Sequence, residues 1–143
     1  MTVYLRQGSV WTEIGSGAVL HSVFSTIALR LEHGVWGSRF PVVMSKLYQG
    51  QVSRADGEAA HAEMQRIRAE LAQLPADQVI WDADRPGLLP PPDQQTRQHG
   101  RTCSAYWITT TGRNVVDELI DNLESLLMFG GTLDVVSHVG PPG

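Results

Sequence analysis

SGAVLHSVFSTIALRLEHG, residues 16–34, is where the sequence changes its period. Val19, Leu20, Val23, Phe24, Ile27 and Leu31 follow one another at steps of one, three, one, three and four, which lays one apolar stripe along a helix. Ser16 offers an N-cap hydroxyl and Gly34 a terminator. The preceding stretch, TVYLRQGSVWTEIG (residues 2–15), alternates through Val3, Leu5, Val10, Trp11 and Ile14 and breaks at Gly8–Ser9, the pattern of one or two strands. A strand-type N-terminus running straight into a helix points to a mixed class.

Working outward, Pro41 suits the first turn of a short helix carrying Val43, Met44, Leu47 and Tyr48 and closed by Gly50. Ser53 opens a longer helix over residues 54–74, with Met64, Ile67, Leu71 and Leu74 on one side and Pro75 marking its end. QVIWD (78–82) reads as a buried strand. Residues 83–101 form a long loop, with four prolines and two glycines between Ala83 and Gly100; loops longer than about 12–15 residues are usually functional or disordered. RTCSAYWITT (101–110) returns to strand composition. Asn114 caps a helix that turns Val115, Val116, Leu119, Ile120, Leu123, Leu126 and Leu127 inward, Gly130–Gly131 stops it, and TLDVV (132–136) is a last strand. Residues 137–143, ending in GPPG, form a flexible tail. Strands grouped at both ends of a helical middle predict one α+β domain over residues 1–143, a mixed or antiparallel sheet packed against about four helices.

The totals suit such a domain. At 15.7 kDa, surface scaling gives roughly 7,300 Å² folded against about 23,000 Å² unfolded, enough burial for one core without staples. The 42% hydrophobic and 18% charged fractions belong to a globular chain. No apolar run approaches the length of a membrane span, the N-terminus lacks a signal-peptide core, and the single Cys103 suits a reducing compartment, so the expectation is a cytoplasmic protein. The net charge of −4 is unevenly placed: residues 1–54 hold five basic and two acidic side chains, and residues 55–143 hold six and thirteen. Lys and Arg are scattered, which argues against direct nucleic-acid binding and allows a basic partner for the acidic half.

A catalytic constellation is hard to assemble. GSG (15–17) precedes a helix, but the third glycine of a dinucleotide fingerprint and the Lys of a P-loop are missing, so a plain turn is the simpler reading. His21, His33, His61, His99 and His138 form no zinc pattern; no metal or cofactor is expected. His21 reads as a structural histidine tying a loop to the helix, Cys103 as a buried small hydrophobe, and Asp82 with Asp84 as a strand-end turn. Asp117, Glu118, Asp121 and Glu124 have no basic residue among them, and spacings of three and four put three of them on one side. That is either a solvated face or a docking face for a basic partner. WGSRFP (36–41) mixes interface-type residues with glycine. Pro41 keeps Phe40 out of helical geometry, and composition favours an internal clasp in which Arg39 bridges a carboxylate or carbonyls.

Taken together, IGSGAVLHSVFSTI, WGSRFP, LYQG, IRAEL, VIWD and YWITTTGRNV resemble, in order and spacing over roughly residues 11–128, the immunity protein 70 family of bacterial polymorphic toxin systems. The combination of GSG-x₂-LHS-x-F with WGSRFP is its more specific part. The resemblance implies a non-enzymatic protein that binds and occludes a cognate toxin protein. Asp117, Glu118, Asp121 and Glu124 would attract that toxin, and Trp36, Arg39 and Phe40 would anchor it if they face outward. Between Ala83 and Arg101 the likeness lapses: where the family has an acidic PPWG segment with tryptophan, this chain has PPPDQQTRQHG, which marks the loop as a place for partner specificity to vary. Two other readings stay open. One is an enzyme built on His21, Arg39 and Asp82 converging in a concave pocket. The other is a homo-oligomeric module, in the simplest case a homodimer.

Overall fold

A computed structural model describes residues 1–139. The N-terminal alternation forms a hairpin of β1 (Thr2–Gln7) and β2 (Val10–Ser16), reversed at Gly8, whose φ of +57° is open to glycine at no steric cost. β1 also pairs with β4 (Thr132–His138), which in turn pairs with β3 (Gln51–Ser53). All pairings are antiparallel, in the order β2-β1-β4-β3. The molecule is the single α+β domain that the strand–helix–strand grouping implies.

Because side chains alternate across a strand, β1 sends Val3 and Leu5 into the core, where Ile14, Val52 and Leu133 join them. Helix α1 (Gly17–Thr26) leaves Ser16 in extended geometry and continues as a π-helical turn, Ile27–Leu31. The stripe read from the sequence is the stripe that is buried: Val19, Leu20, Val23, Phe24, Ile27 and Leu31 all lie in the core. A second π-helical turn, Val43–Leu47, follows Pro41, and Gly50 closes it by donating to the Lys46 carbonyl. Helix α2 (Arg54–Leu71) and helix α5 (Val115–Phe129) pack on each other, and α5 also reaches β1 and β4. At their contact Gly57 lets Leu126 and Leu127 approach so closely that a Cβ there would sit 3.2 Å from each. Short helices α3 (Pro92–Gln95) and α4 (Cys103–Tyr106) punctuate the 83–106 region.

Two expected strands do not form. In QVIWD, Gln78 ends a 3-10 turn (Ala76–Gln78) and Val79 is extended, but the backbone of Ile80 is satisfied by hydroxyls of α1 instead of a ladder. The Ile80 N–H donates to Thr26 Oγ1 (2.9 Å), the Ile80 carbonyl accepts from Ser22 Oγ (2.7 Å) and Thr26 Oγ1 (3.2 Å), and the Ala83 N–H donates to Ser25 Oγ. Ile80 and Trp81 are both buried. In RTCSAYWITT only Cys103–Tyr106 winds into α4; Trp107 is extended, Ile108 makes a single bridge to Asn114, and the buried residues are Cys103, Trp107 and Thr109. Trp107 then donates through Nε1 to Ser22 Oγ (2.9 Å). Burial lifts the Cys103 thiol to about 11, so it is a packed, protonated side chain.

Other boundaries shift by less. α2 ends at Leu71, three residues short of the expected 74, in a turn that prepares the extended backbone before Pro75. β3 went unread because three residues with one buried apolar side chain, Val52, carry no measurable alternation. β4 runs to His138, two residues into the segment expected as a tail; residues 140–143 lie outside the described part. The long loop is tied down. His99 stacks on Tyr106 at 3.9 Å and sets Nδ1 and Nε2 against the Tyr106 and Gln94 carbonyls, while Arg97 donates to the Ile108 and Thr109 carbonyls.

Candidate partner-binding surface

The chain after α1 reverses around one carboxylate. Glu32 is 2% exposed and accepts three backbone N–H groups, Gly37 (3.0 Å) on Oε1 and Arg39 (3.0 Å) and Phe40 (3.1 Å) on Oε2. The turn that makes this geometry requires left-handed backbone at His33 (φ +52°), Gly34 (φ +85°) and Gly37 (φ +77°). α2 supplies two more carboxylates, seven residues apart and so on one face. Glu63 accepts the N–H groups of Val42 and Val43, capping the helical turn that Pro41 begins. Glu70 holds Arg39 in a two-point pair at 2.6 Å each, and Arg39 also donates to the Leu31 carbonyl. The hydrogen bonds between them raise the Arg39 guanidinium above its ordinary value and hold the Glu70 carboxyl below its own.

WGSRFP is therefore an internal clasp. Phe40 is buried under the Arg39 guanidinium, which lies 4.8 Å from its ring. Trp36 stays at the surface, 39% exposed, with Nε1 donating to the Met44 carbonyl (2.7 Å). Its ring meets Tyr48 edge-on at 4.8 Å, and Tyr48 meets Phe24 at 5.1 Å. Beside this row lies a depression of about 130 Å³ lined by Gly17, Leu20, His21, Phe24 and Tyr48. His21 Nε2 sits 3.5 Å from Asp82 Oδ1, so the histidine does tie the following loop to α1. Asp82 also accepts from the Asp84 N–H (2.9 Å) and from Arg85 (3.4 Å). Those bonds, the Asp84 N–H above all, hold its carboxyl below the usual range against the opposing effect of burial.

The acidic helix lies elsewhere. Asn114 caps α5 by accepting the Asp117 N–H on Oδ1 (3.0 Å). Asp117, Asp121 and Glu124, spaced by four and three, form the exposed side; Glu118 is turned in, 7% exposed, and bound to Arg113 (3.1 Å). Arg68 reaches Asp117 (3.1 Å) and His61 reaches Glu124 (3.1 Å). Among the described residues Asp121 has no ion-pair partner. Met128 and Phe129 follow at the helix end, nearly bare to solvent.

The residues singled out from sequence thus separate. His21 and Asp82 come together, while Arg39 is taken up by Glu70 and the Leu31 carbonyl and joins neither. Trp36 faces out, and Phe40 and Glu118 face in. Sequence reading missed Glu32, Tyr48, Glu63 and Glu70. The seven-residue interval of Glu63 and Glu70 was the available signal, but on a helix with many charges it looks like an ordinary solvated face. The segments that carry the family resemblance meet around α1: Ser22 joins Trp107 to Ile80, and Tyr48 joins Phe24 to Trp36.

Among the described residues no group of three or more His, Cys, Asp and Glu could hold a metal, and no helix is long and apolar enough to cross a membrane. No curated protein and no solved structure matches the chain. The model of one family, Immunity protein 70, matches residues 5–135. The chain belongs to that family.

Proposed function

We propose that this member of the immunity protein 70 family neutralises a cognate bacterial polymorphic toxin by stoichiometric binding in the cytoplasm, covering the toxin's working surface without chemistry of its own. The observation that carries this reading is the family match over residues 5–135. The charge distribution supports it: Asp117, Asp121 and Glu124 project from one side of α5, in the half of the chain where acidic residues outnumber basic ones thirteen to six. Such a field speeds encounter with a basic partner more than it tightens the final complex. Trp36 supplies exposed aromatic area of the kind that holds complexes together. Arg39 and Glu118 contribute from behind, by setting the clasp and the start of α5.

The enzyme reading would need His21, Arg39 and Asp82 around one reacting centre, and Arg39 is committed to Glu70 instead. The test is expression of the toxin encoded beside this chain's gene in cells with and without the chain, followed by affinity purification. Protection together with a one-to-one complex is expected. Cells that die regardless, with the two proteins eluting separately, would overturn the reading.

A further inference from the structure

We propose that the depression at the start of α1 is an anchor pocket that receives one uncharged apolar side chain of the toxin, about the size of Leu, Met or Phe. This rests on the toxin-binding reading and names the contact that would hold the complex. Four observations carry it. The volume, about 130 Å³, is close to that of an engineered apolar cavity of about 150 Å³ that holds a benzene ring. The walls are Leu20, Phe24 and Tyr48, with Gly17 adding no side chain. Tyr48 and its ring partner Trp36 are exposed beside it, and aromatic rims about a fillable hollow are where binding energy concentrates.

The fourth observation is electrostatic and selects the occupant. The lining holds no carboxylate, ammonium or guanidinium; its titratable groups are the Tyr48 phenol and His21, whose Nε2 lies 3.5 Å from Asp82 Oδ1. A charged tip would lose its water there and gain no partner. An apolar tip loses nothing. Met128 and Phe129 are more exposed than this rim, but they stand at the end of α5 next to Gly130 and Gly131 and do not line the depression.

The pocket is tested with the inactivated toxin domain as probe. Dissociation constants and off-rates are measured for the wild type, Tyr48→Ala, which removes a wall, His21→Trp, which puts a ring over the mouth, and Phe129→Ser as a control on α5. Thermal melts accompany each variant; if Tyr48→Ala unfolds, His21→Trp carries the test, since that side chain is 39% exposed. Both pocket variants are expected to weaken binding by about 30-fold or more, mainly through faster dissociation, with the control within about threefold. Alanine replacement of one apolar toxin residue should couple non-additively with Tyr48→Ala. Folded pocket variants that bind within about threefold of wild type overturn the pocket and leave the toxin-binding reading standing. Variants that alter self-association on a sizing column without altering toxin binding overturn it in favour of a second copy. A wild-type chain that does not bind the toxin at all overturns both.

Discussion

Residues 32–40 and the outer side of α5 both display residues of the type that meets partners, and the fold treats them in opposite ways. Around Glu32 the carboxylate is buried and each of its three hydrogen bonds comes from a backbone N–H that needs an acceptor. On α5, Asp121 is exposed and answers to no ion pair among the described residues. Both are acidic side chains on or beside a helix. The first holds a loop in shape; the second leaves the protein's shape untouched and is free to act at a distance. Residue type does not separate these roles. The direction of the chain after Gly34 does.

The largest effect should come from Glu32→Ala, which removes a buried carboxylate and leaves one buried N–H group, of Phe40, and two part-buried ones, of Gly37 and Arg39, without their acceptor. A loss of about 3–4 kcal/mol is expected, read as a lower urea midpoint with an unchanged slope. A loss below about 1 kcal/mol would mean that the clasp is not set by this carboxylate. Next comes Ser22→Ala, which breaks the relay from Trp107 through Ser22 to the Ile80 carbonyl in the core. About 2 kcal/mol is expected, and amide exchange near Ile80 should rise with it.

Glu70 gives a smaller, pH-dependent signature. Its carboxyl titrates below the ordinary range in the folded state because Arg39 binds the ionised form. The unfolded chain therefore takes up protons first as the solution is acidified, so the stability Glu70 contributes is present above the ordinary carboxylate range, about pH 4, and fades as pH falls through the lowered folded value. Glu70→Gln should flatten that acid limb, by under about 1 kcal/mol because both partners are about a third exposed. Equal acid limbs in the two proteins would remove Glu70 from the clasp's energetics. The smallest stability effect belongs to Asp121→Lys, within about 0.5 kcal/mol of wild type. It should instead slow association with the toxin severalfold and reduce the salt dependence of that rate. An unchanged on-rate would leave the acidic side of α5 as a solvated face.

Local signals were enough for the three long helices and for the hairpin. The stripe from Val19 to Leu31, the cap at Asn114 and the stop at Gly130 report interactions made within a few residues, and those recur wherever the same spacing does. Most of the sheet was legible for the same reason. QVIWD and RTCSAYWITT were misread because their composition fits a strand, while the backbone partners of Ile80, the hydroxyls of Ser22 and Thr26, lie more than fifty residues away. The start of RTCSAYWITT bonds the backbone of Leu74 and Ala76, and a local window shows none of these partners.

Family membership and the α+β class came from the order of side chains along the chain, since order and period survive any folding path. The orientation of Trp36 against Phe40 and of Asp121 against Glu118, the capture of Arg39 by Glu70, and the hollow beneath Tyr48 came only with the tertiary structure. Each depends on segments remote in sequence arriving at one place, where burial makes an unmatched charge or hydrogen bond too costly to tolerate.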